Sequence, residues 1–519
     1  MSSSPYSSQA QVDEAFNTVN STFRSNVTKP LEWRIRQLRK TWWMVQDNRE
    51  RIVQAIHADL NKHQQESLPV DVVGVQNACL EALHRLKAWT KDEKPRWTEP
   101  LNFAVGARIR KEPKGVSLII SAWNYPFMEL LEPMICAIAA GCTAILKPSE
   151  LAPASERLIV ELIPQYLDQS AVRVITAGPK DMDYLLGKTW QHIFFTGSTA
   201  VGKIIYAKAA PNLTTVTLEL GGRGPAIVTP SANIDLAAKR IANAKFLNAG
   251  QVCVGINHVF VDPSIKKPFL AALVKYFDEY RSGQANQPDY ATRIVNNRHF
   301  ERLDNLLRNT RGEIIYGGER NPENRFFAPT VVDAVTASDP LLSEELFGPI
   351  LPILDATLDE ALSYTAQHDH PLALYGFTTS TEEQERILRE TNSGGVTFND
   401  AILHMMIKDA PFGGVGPSGM GAYHGIYGFN EFVHHRTVIN VPAWLELVLK
   451  ARYAPYTDKK AAAMIKALRP ATSVPFDRNG NDVYSFGGLL TKSLAMVLFF
   501  ALFKWKGWTL ADVLQLMKR

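Results

Sequence analysis

From Gly115 the chain alternates short apolar runs with segments of helical period: "GVSLIISAW", "MELLEPMICAIAAG", "CTAILK", "SERLIVELIPQYL", "VRVITAG", "HIFFTG", "GKIIYAKAAP" and "TTVTLELGG". This rhythm restricts the fold more than any other feature. Parallel strands need a crossover, and a helix both makes the crossover and covers the sheet. A second alternation follows Ala226, through "FFAPTVVDAV", "PILPILD", "ALYGFTTS" and "GGVTFND". The expectation is α/β architecture: two Rossmann-like parallel-sheet lobes with a cleft between them. Ahead of them, residues 12–95 carry apolar positions at helical spacing in "LEWRIRQLRKTWWMVQ" and "ERIVQAIHADL" and read as packing helices. Gly- and Pro-rich "APFGGVGPSGMGAYHG" closes the second lobe.

A chain of 519 residues with 46% hydrophobic and 21% charged residues can bury sizeable cores in two or three domains. Its four cysteines, Cys79, Cys136, Cys142 and Cys253, show no C-x-x-C spacing, which favours a reducing compartment and argues against a metal site. The first residues, "MSSSPYSSQAQVDEAF", carry no apolar export signal and no Arg-rich transit pattern. The net charge of +4 is uneven: residues 450–519 hold 12 Lys/Arg against 4 Asp/Glu, and the remainder 44 against 48. A basic tail suits acidic lipid headgroups, whereas the body lacks the basic, aromatic-interleaved stripe of a nucleic-acid binder.

Ligands of open parallel sheets sit beyond the carboxyl ends of the strands, so the residues after each apolar run are the candidates. Asn124 follows "SLIIS", Lys147 and Glu150 follow "AILK", "TGSTAVG" follows "HIFF", and Glu219 ends "TVTLE". "GSTAVGKI" nearly matches a phosphate-binding P-loop, but Ile204 replaces the magnesium-binding hydroxyl, which disfavours an NTPase. It is not G-x-G-x-x-G either, although a glycine turn opening a helix can still present N–H groups to a phosphate. A partly desolvated Glu219 would make a general base, Cys253 within "NAGQVCVG" a nucleophile, and the Asn124 amide a donor to an oxyanion. Read singly, each has an equally simple structural role: a solvated Glu, a core Cys and a turn-capping Asn.

The ordered set "WNYPF", "KPSE", "FTGSTAVG", "LELGG", "GQVC", "EELFGP" and "PFGGVGPSG" resembles the aldehyde dehydrogenase superfamily over roughly residues 12–440. "GQVCVGINHVF", "IVNNRHFERL" and "SGMGAYHG" are similar to its class 3 branch, which includes fatty aldehyde dehydrogenases. The resemblance implies a Cys253 nucleophile, an oxyanion held by Asn124 and the Cys253 N–H, and Glu219 as the base that opens the thioester. It implies NAD as cofactor, with NADP possible. Lys147 and Glu150 would meet the adenosine ribose, Gly197, Ser198, Thr199, Ala200, Val201 and Gly202 the pyrophosphate, and Glu345 and Phe347 the nicotinamide ribose. Tyr125, His404, Met405 and Met406 are candidates for an apolar substrate channel, His404 in a structural role. The substrate implied is a long-chain aliphatic aldehyde, with aromatic aldehydes the alternative. A cofactor-free thiol hydrolase or acyltransferase and an inactive membrane-tethered scaffold are the competing classes.

The resemblance further implies an NAD-binding domain of residues 1–95 and 116–220, a catalytic domain of 221–426, and a bridging element of 96–115 and 427–447 through which two copies pair as a homodimer. Residues 448–519 form the tail. Within it "SLAMVLFFALF", 493–503, reaches only about 16 Å as a helix, short of a hydrocarbon core of about 30 Å. The following "TLAD" has a helix-capping form, and Leu510, Val513, Leu514 and Met517 fall on one helical face. The tail is therefore expected to associate the enzyme with a cytosol-facing membrane, of the endoplasmic reticulum, a lipid droplet or the outer mitochondrial membrane, while the body stays cytosolic.

Overall fold

The computed structural model describes residues 6–95, 100–282, 291–468 and 474–482. The strand Val116–Ile120, buried at every position, lies inside a six-stranded sheet. The order across the sheet is Gly419–Met420, Thr215–Glu219, His192–Thr196, Val116–Ile120, Thr143–Lys147, Val172–Val174. The chain steps outward from Val116–Ile120 through the next two strands in sequence, then returns to its other side with His192–Thr196, in parallel register throughout. That reversal opens a crevice between the loops leaving Val116–Ile120 and His192–Thr196, the usual ligand position in such sheets. The edge strand Gly419–Met420 comes from far along the chain and pairs antiparallel, with Gly419 opposite Glu219.

A second, seven-stranded sheet runs Gly395–Phe398, Ala373–Phe377, Pro225–Val228, His258–Val261, Ile350–Asp355, Thr330–Asp333, Glu313–Tyr316. It is parallel except for its last strand. Its central strands, among them Pro225–Val228, Ile350–Asp355 and Ala373–Phe377, are apolar runs, as expected of parallel strands buried on both faces, whereas the edge strand Glu313–Tyr316 is partly exposed. The two α/β lobes expected from the alternation are therefore present.

The helix Met128–Ala140 has no polar face and is buried from Glu129 to Ala140. Its apolar side chains join those of helices Leu31–Asp47 and Val75–Thr90 and strand Thr143–Lys147 in one core. Two carboxylates, Glu129 and Glu132, ride on this otherwise apolar helix. Residues 1–92 and 110–436 form one compact unit that contains both sheets. The described residues of 93–109 and 437–482 belong to another, whose helices include Pro100–Ala104 and Asp458–Leu468. Among the described residues no helix is long and apolar enough to cross a membrane. The apolar stretch 493–503 and the amphipathic segment after it lie outside the described residues.

Candidate active site

Cys253 sits on a loop made by an abrupt turn. After helix Ile234–Phe246 the backbone passes through three left-handed residues, Asn248 (φ 50°), Ala249 (φ 51°) and Gly250 (φ 69°). Asn and Gly adopt this conformation readily, but Ala does not, so the turn must be held by its surroundings. A Cβ on Gly250 would stand 2.2 Å from the Gly348 carbonyl oxygen, so only glycine permits that approach. The holding contacts are polar and buried. The Asn248 N–H donates to Glu66 (2.6 Å), and its side-chain amide donates to the carbonyls of Gln251 (3.0 Å) and Asn124 (3.2 Å). Gln251 in turn donates to Asn248 and Arg293 carbonyls and accepts from the Val295 N–H.

The same network fixes Asn124. Its Nδ2 donates to the Gln251 carbonyl at 3.2 Å, and its own carbonyl accepts from the buried Lys62 ammonium at 3.1 Å. Lys62 lies over the Tyr125 ring, 3.6 Å from its centroid, and 4.0 Å from Asp71. Asp71 accepts from the N–H groups of Phe127 and Met128. Lys62 and Asp71 thus pin both ends of the "NYPFM" loop.

A cavity of about 410 Å³ lies along the crevice of the first sheet. Asn124, Gly197, Ser198, Thr199, Ala200, Glu219, Cys253, Glu345 and Phe347 line it, so most of the sequence candidates converge there. Ser198 caps the helix Thr199–Ala209, which aims its N-terminal N–H groups into this space. Gly221 leaves room for Glu345: a Cβ there would lie 2.4 Å from both carboxyl oxygens and push the carboxylate aside. Burial pushes the Glu345 carboxyl up to about 7, against the Gly222 N–H, Arg302 and Lys245, which favour its charged form. A helix N-terminus for a pyrophosphate and a carboxylate beside a glycine for ribose hydroxyls fit a dinucleotide.

Four candidates do not line this cavity. Lys147 and Glu150 pair with each other at the end of strand Thr143–Lys147. Val201 is exposed, and Gly202 lets the helix approach Leu220, where a Cβ would meet a methyl at 2.8 Å.

A narrow second cavity meets the first at Cys253. Tyr125, Met128, Leu372, Met405, Phe412, Tyr423 and His424 make it largely apolar. Tyr125 and Met405 are there as the sequence suggested. His404 instead bonds Thr397 (2.9 Å), and Met406 is exposed. Five residues line both cavities: Glu129, Thr196, Glu219, Leu220 and Cys253. Burial, then Glu129, Glu345 and Glu219, push the Cys253 thiol well above its ordinary value. Burial and Glu431 raise the Glu219 carboxyl likewise, and neither of its oxygens has a hydrogen-bond partner among the described residues.

Glu129, Thr196, His299 and Arg302 line the first cavity without having been singled out from the sequence. His299 and Arg302 lie in "NNRHFERL", on helix Asn297–Asn309, whose exposed-looking charges gave no local signal. His424, held by Glu132 at 2.6 Å, was likewise missed within the glycine-rich "GMGAYHG".

The profile of the Aldehyde dehydrogenase family matches residues 1–438. A β-apo-4′-carotenal oxygenase of Neurospora crassa is 43% identical over 443 residues, 85% of this chain and 83% of that protein. A "dimeric NADP-preferring" aldehyde dehydrogenase of Rattus norvegicus is 39% identical over 454 residues, 87% of this chain and 99% of the relative. The structure of a substrate-bound Staphylococcus aureus AldH superposes with a TM-score of 0.83 at 38% identity, covering 88% of this chain and 99% of that one. With its paired parallel-sheet lobes and a dinucleotide-shaped crevice, the chain belongs to the aldehyde dehydrogenase family of NAD(P)-dependent, aldehyde-oxidising enzymes.

Proposed function

We propose that the preferred substrates are aldehydes with extended apolar chains, long-chain aliphatic aldehydes first, and that Cys253 and Glu219 carry the reaction. The observation that supports this most directly is the wall shared by the two cavities: it brings the thiol and the carboxyl to the one place where an apolar aldehyde can face a dinucleotide. The Neurospora relative is named for a carotenal.

In this reading Cys253 Sγ attacks the aldehyde carbon, and the oxygen of the resulting thiohemiacetal is received by Asn124 Nδ2 and the Cys253 N–H. The bound NAD(P) supplies the hydride acceptor. Collapse leaves a thioester on Cys253, and Glu219 takes a proton from the water that opens it to the carboxylic acid. Gly197, Ser198, Thr199 and Ala200 receive the pyrophosphate with Glu345 and Phe347 at the nicotinamide ribose. Lys147 and Glu150 meet the adenosine ribose, with Val201 and Gly202 shaping the helix beside it. Because Lys147 already neutralises Glu150, a 2′-phosphate is repelled less than by a free carboxylate, which supports use of either cofactor. Aromatic aldehydes are the alternative substrates, favoured by the Tyr125, Phe412 and Tyr423 rings of the apolar cavity.

Residues 1–95 and 116–220 serve as the cofactor domain and 221–426 as the catalytic domain. Residues 96–115 and 427–447 pair subunits into a homodimer, as the name of the rat relative describes for that protein, and residues 448–519 hold the enzyme at a cytosol-facing membrane. The direct test of the chemistry is Cys253→Ala, assayed by formation of reduced nicotinamide from hexadecanal and NAD. The variant is expected to lose oxidation while NAD still protects it thermally. Turnover in a folded Cys253→Ala protein would overturn the assignment.

A further inference from the structure

Two carboxylic acids, not one, stand on the wall that holds the thiol. The mechanism above occupies Glu219 with the hydrolytic water and leaves the proton of Cys253 itself without an assigned acceptor. Glu129 is the other acid. It sits in the first turn of the buried helix Met128–Ala140, 3% exposed, and its Oε2 is buried without a hydrogen-bond partner among the described residues. The Ala122 N–H donates to the same carboxyl group, and the Glu129 main chain is fixed by its N–H on the Tyr125 carbonyl (3.0 Å) and by the Tyr423 hydroxyl on its own carbonyl (3.3 Å). A buried carboxyl oxygen left unpaired in an apolar helix is costly, and the cost calls for a role.

Resting on the reading of Cys253 as nucleophile, we propose that Glu129 accepts the Cys253 proton as the thiol attacks the aldehyde, so that the two acids divide the reaction between its halves. The Sγ–H bond breaks and its proton passes to Glu129 Oε2. The Sγ electron pair forms the bond to carbon, and the carbonyl π pair moves to the oxygen facing Asn124. Glu129 returns the proton to water before the next turnover. No oxidant beyond the NAD(P) of the established reaction is needed.

The groups facing Glu129 fit this task. Asp71 and Lys62 approach from the segment ahead of the lobe, Tyr125 from the loop, Tyr423 from the glycine-rich return, and Cys253 from its own turn. Burial and Asp71 hold the carboxyl up at about 8, opposed by Lys62 and the Ala122 N–H. A charged Glu129 opposes ionisation of the Cys253 thiol. The accepting form of Glu129 therefore grows as the pH approaches about 8.

The test compares wild type, Glu129→Gln, Glu129→Asp and Glu219→Gln in two measurements: the burst of reduced nicotinamide with hexadecanal and NAD, and alkylation of Cys253 by iodoacetamide between about pH 6 and 9. Wild-type alkylation should show a limb near pH 8. Glu129→Gln should lose that limb and slow the burst by about a hundredfold, the lower end of what a positioned base contributes, with KM for the aldehyde little changed. Glu129→Asp should fall between, and Glu219→Gln should give its burst and then stall, as expected of a group that serves the second half of the reaction. A Glu129→Gln burst within twofold of wild type, a change confined to KM, or a wild-type alkylation profile with no limb below about pH 9 would each overturn the proposal. Only oxidation by Cys253→Ala would overturn the underlying reading, so the two failures are distinct.

Discussion

Among the described residues neither buried carboxyl oxygen of Glu219 has a hydrogen-bond partner, so its ionised form waits on a change in its surroundings, such as the entry of water beside Cys253. A Glu219→Gln variant should release one equivalent of reduced cofactor per active site and then stall. Rapid-mixing absorbance checks this, and normal steady-state turnover would remove Glu219 from the hydrolytic step. Glu129 carries a stability signature as well. Its carboxyl is raised from the ordinary range to about 8 in the fold, so between about pH 4.5 and 8 the unfolded chain has lost a proton that the folded protein keeps. Wild-type stability therefore falls with rising pH across that window, by about 1.4 kcal/mol per pH unit from this group. Glu129→Gln lacks this slope. Its melting temperature relative to wild type should climb from pH 5 to pH 8 and level off above, and a constant difference would show that the carboxyl is not held protonated. Glu219 and Asn124 were legible in the sequence as candidates because each stands at the end of an apolar run, and Cys253 because it stands among glycines in "NAGQVCVG". Glu129 was not, because an acid in the first turn of a helix is ordinarily explained by the helix dipole, and "MELLEP" gives no hint that the entire helix is buried.

At the scale of elements, the cofactor crevice depends on places where backbone replaces side chain. Gly221 follows strand Thr215–Glu219 and yields its Cβ position to the Glu345 carboxylate. Gly221→Ala should raise the KM for NAD at least about tenfold, a loss near 1.4 kcal/mol, with a smaller effect on kcat. A titration of initial rate against NAD checks this, and an unchanged KM would separate Glu345 from cofactor binding. Parallel strands such as Val116–Ile120, His192–Thr196 and Ile350–Asp355 were readable as apolar runs, because they are buried on both faces, whereas the antiparallel edge strands Glu313–Tyr316 and Gly419–Met420 were not. The left-handed turn of Asn248, Ala249 and Gly250 was not, since Ala249 gives no local reason to adopt φ 51°. Only the tertiary contacts of Asn248 with Glu66 and Asn124 make it so.

For the whole molecule, both sheets belong to one compact unit, while the tail after residue 482 lies outside the described residues. Truncation after Ala471 should move the protein from membranes to the soluble fraction while leaving a dimer by light scattering, with more loss of activity on long than on short aldehydes. Sedimentation of the truncated protein with carbonate-washed membranes would place the anchor elsewhere.

The edge strand Gly419–Met420 has a consequence for synthesis. It covers Glu219 from 200 residues further along the chain, with Gly419 directly opposite and the Leu220 N–H bonded to the Ser418 carbonyl at 3.1 Å. At ~5 to 20 residues per second, the ribosome needs about 10 to 40 s to make that length. Throughout that interval strand Thr215–Glu219 presents an open edge with a carboxylate at its end, and such edges recruit other chains. The first lobe of a nascent chain is thus exposed to mispairing until nearly all of the second has emerged, and Glu219 is among the last groups to reach its final surroundings.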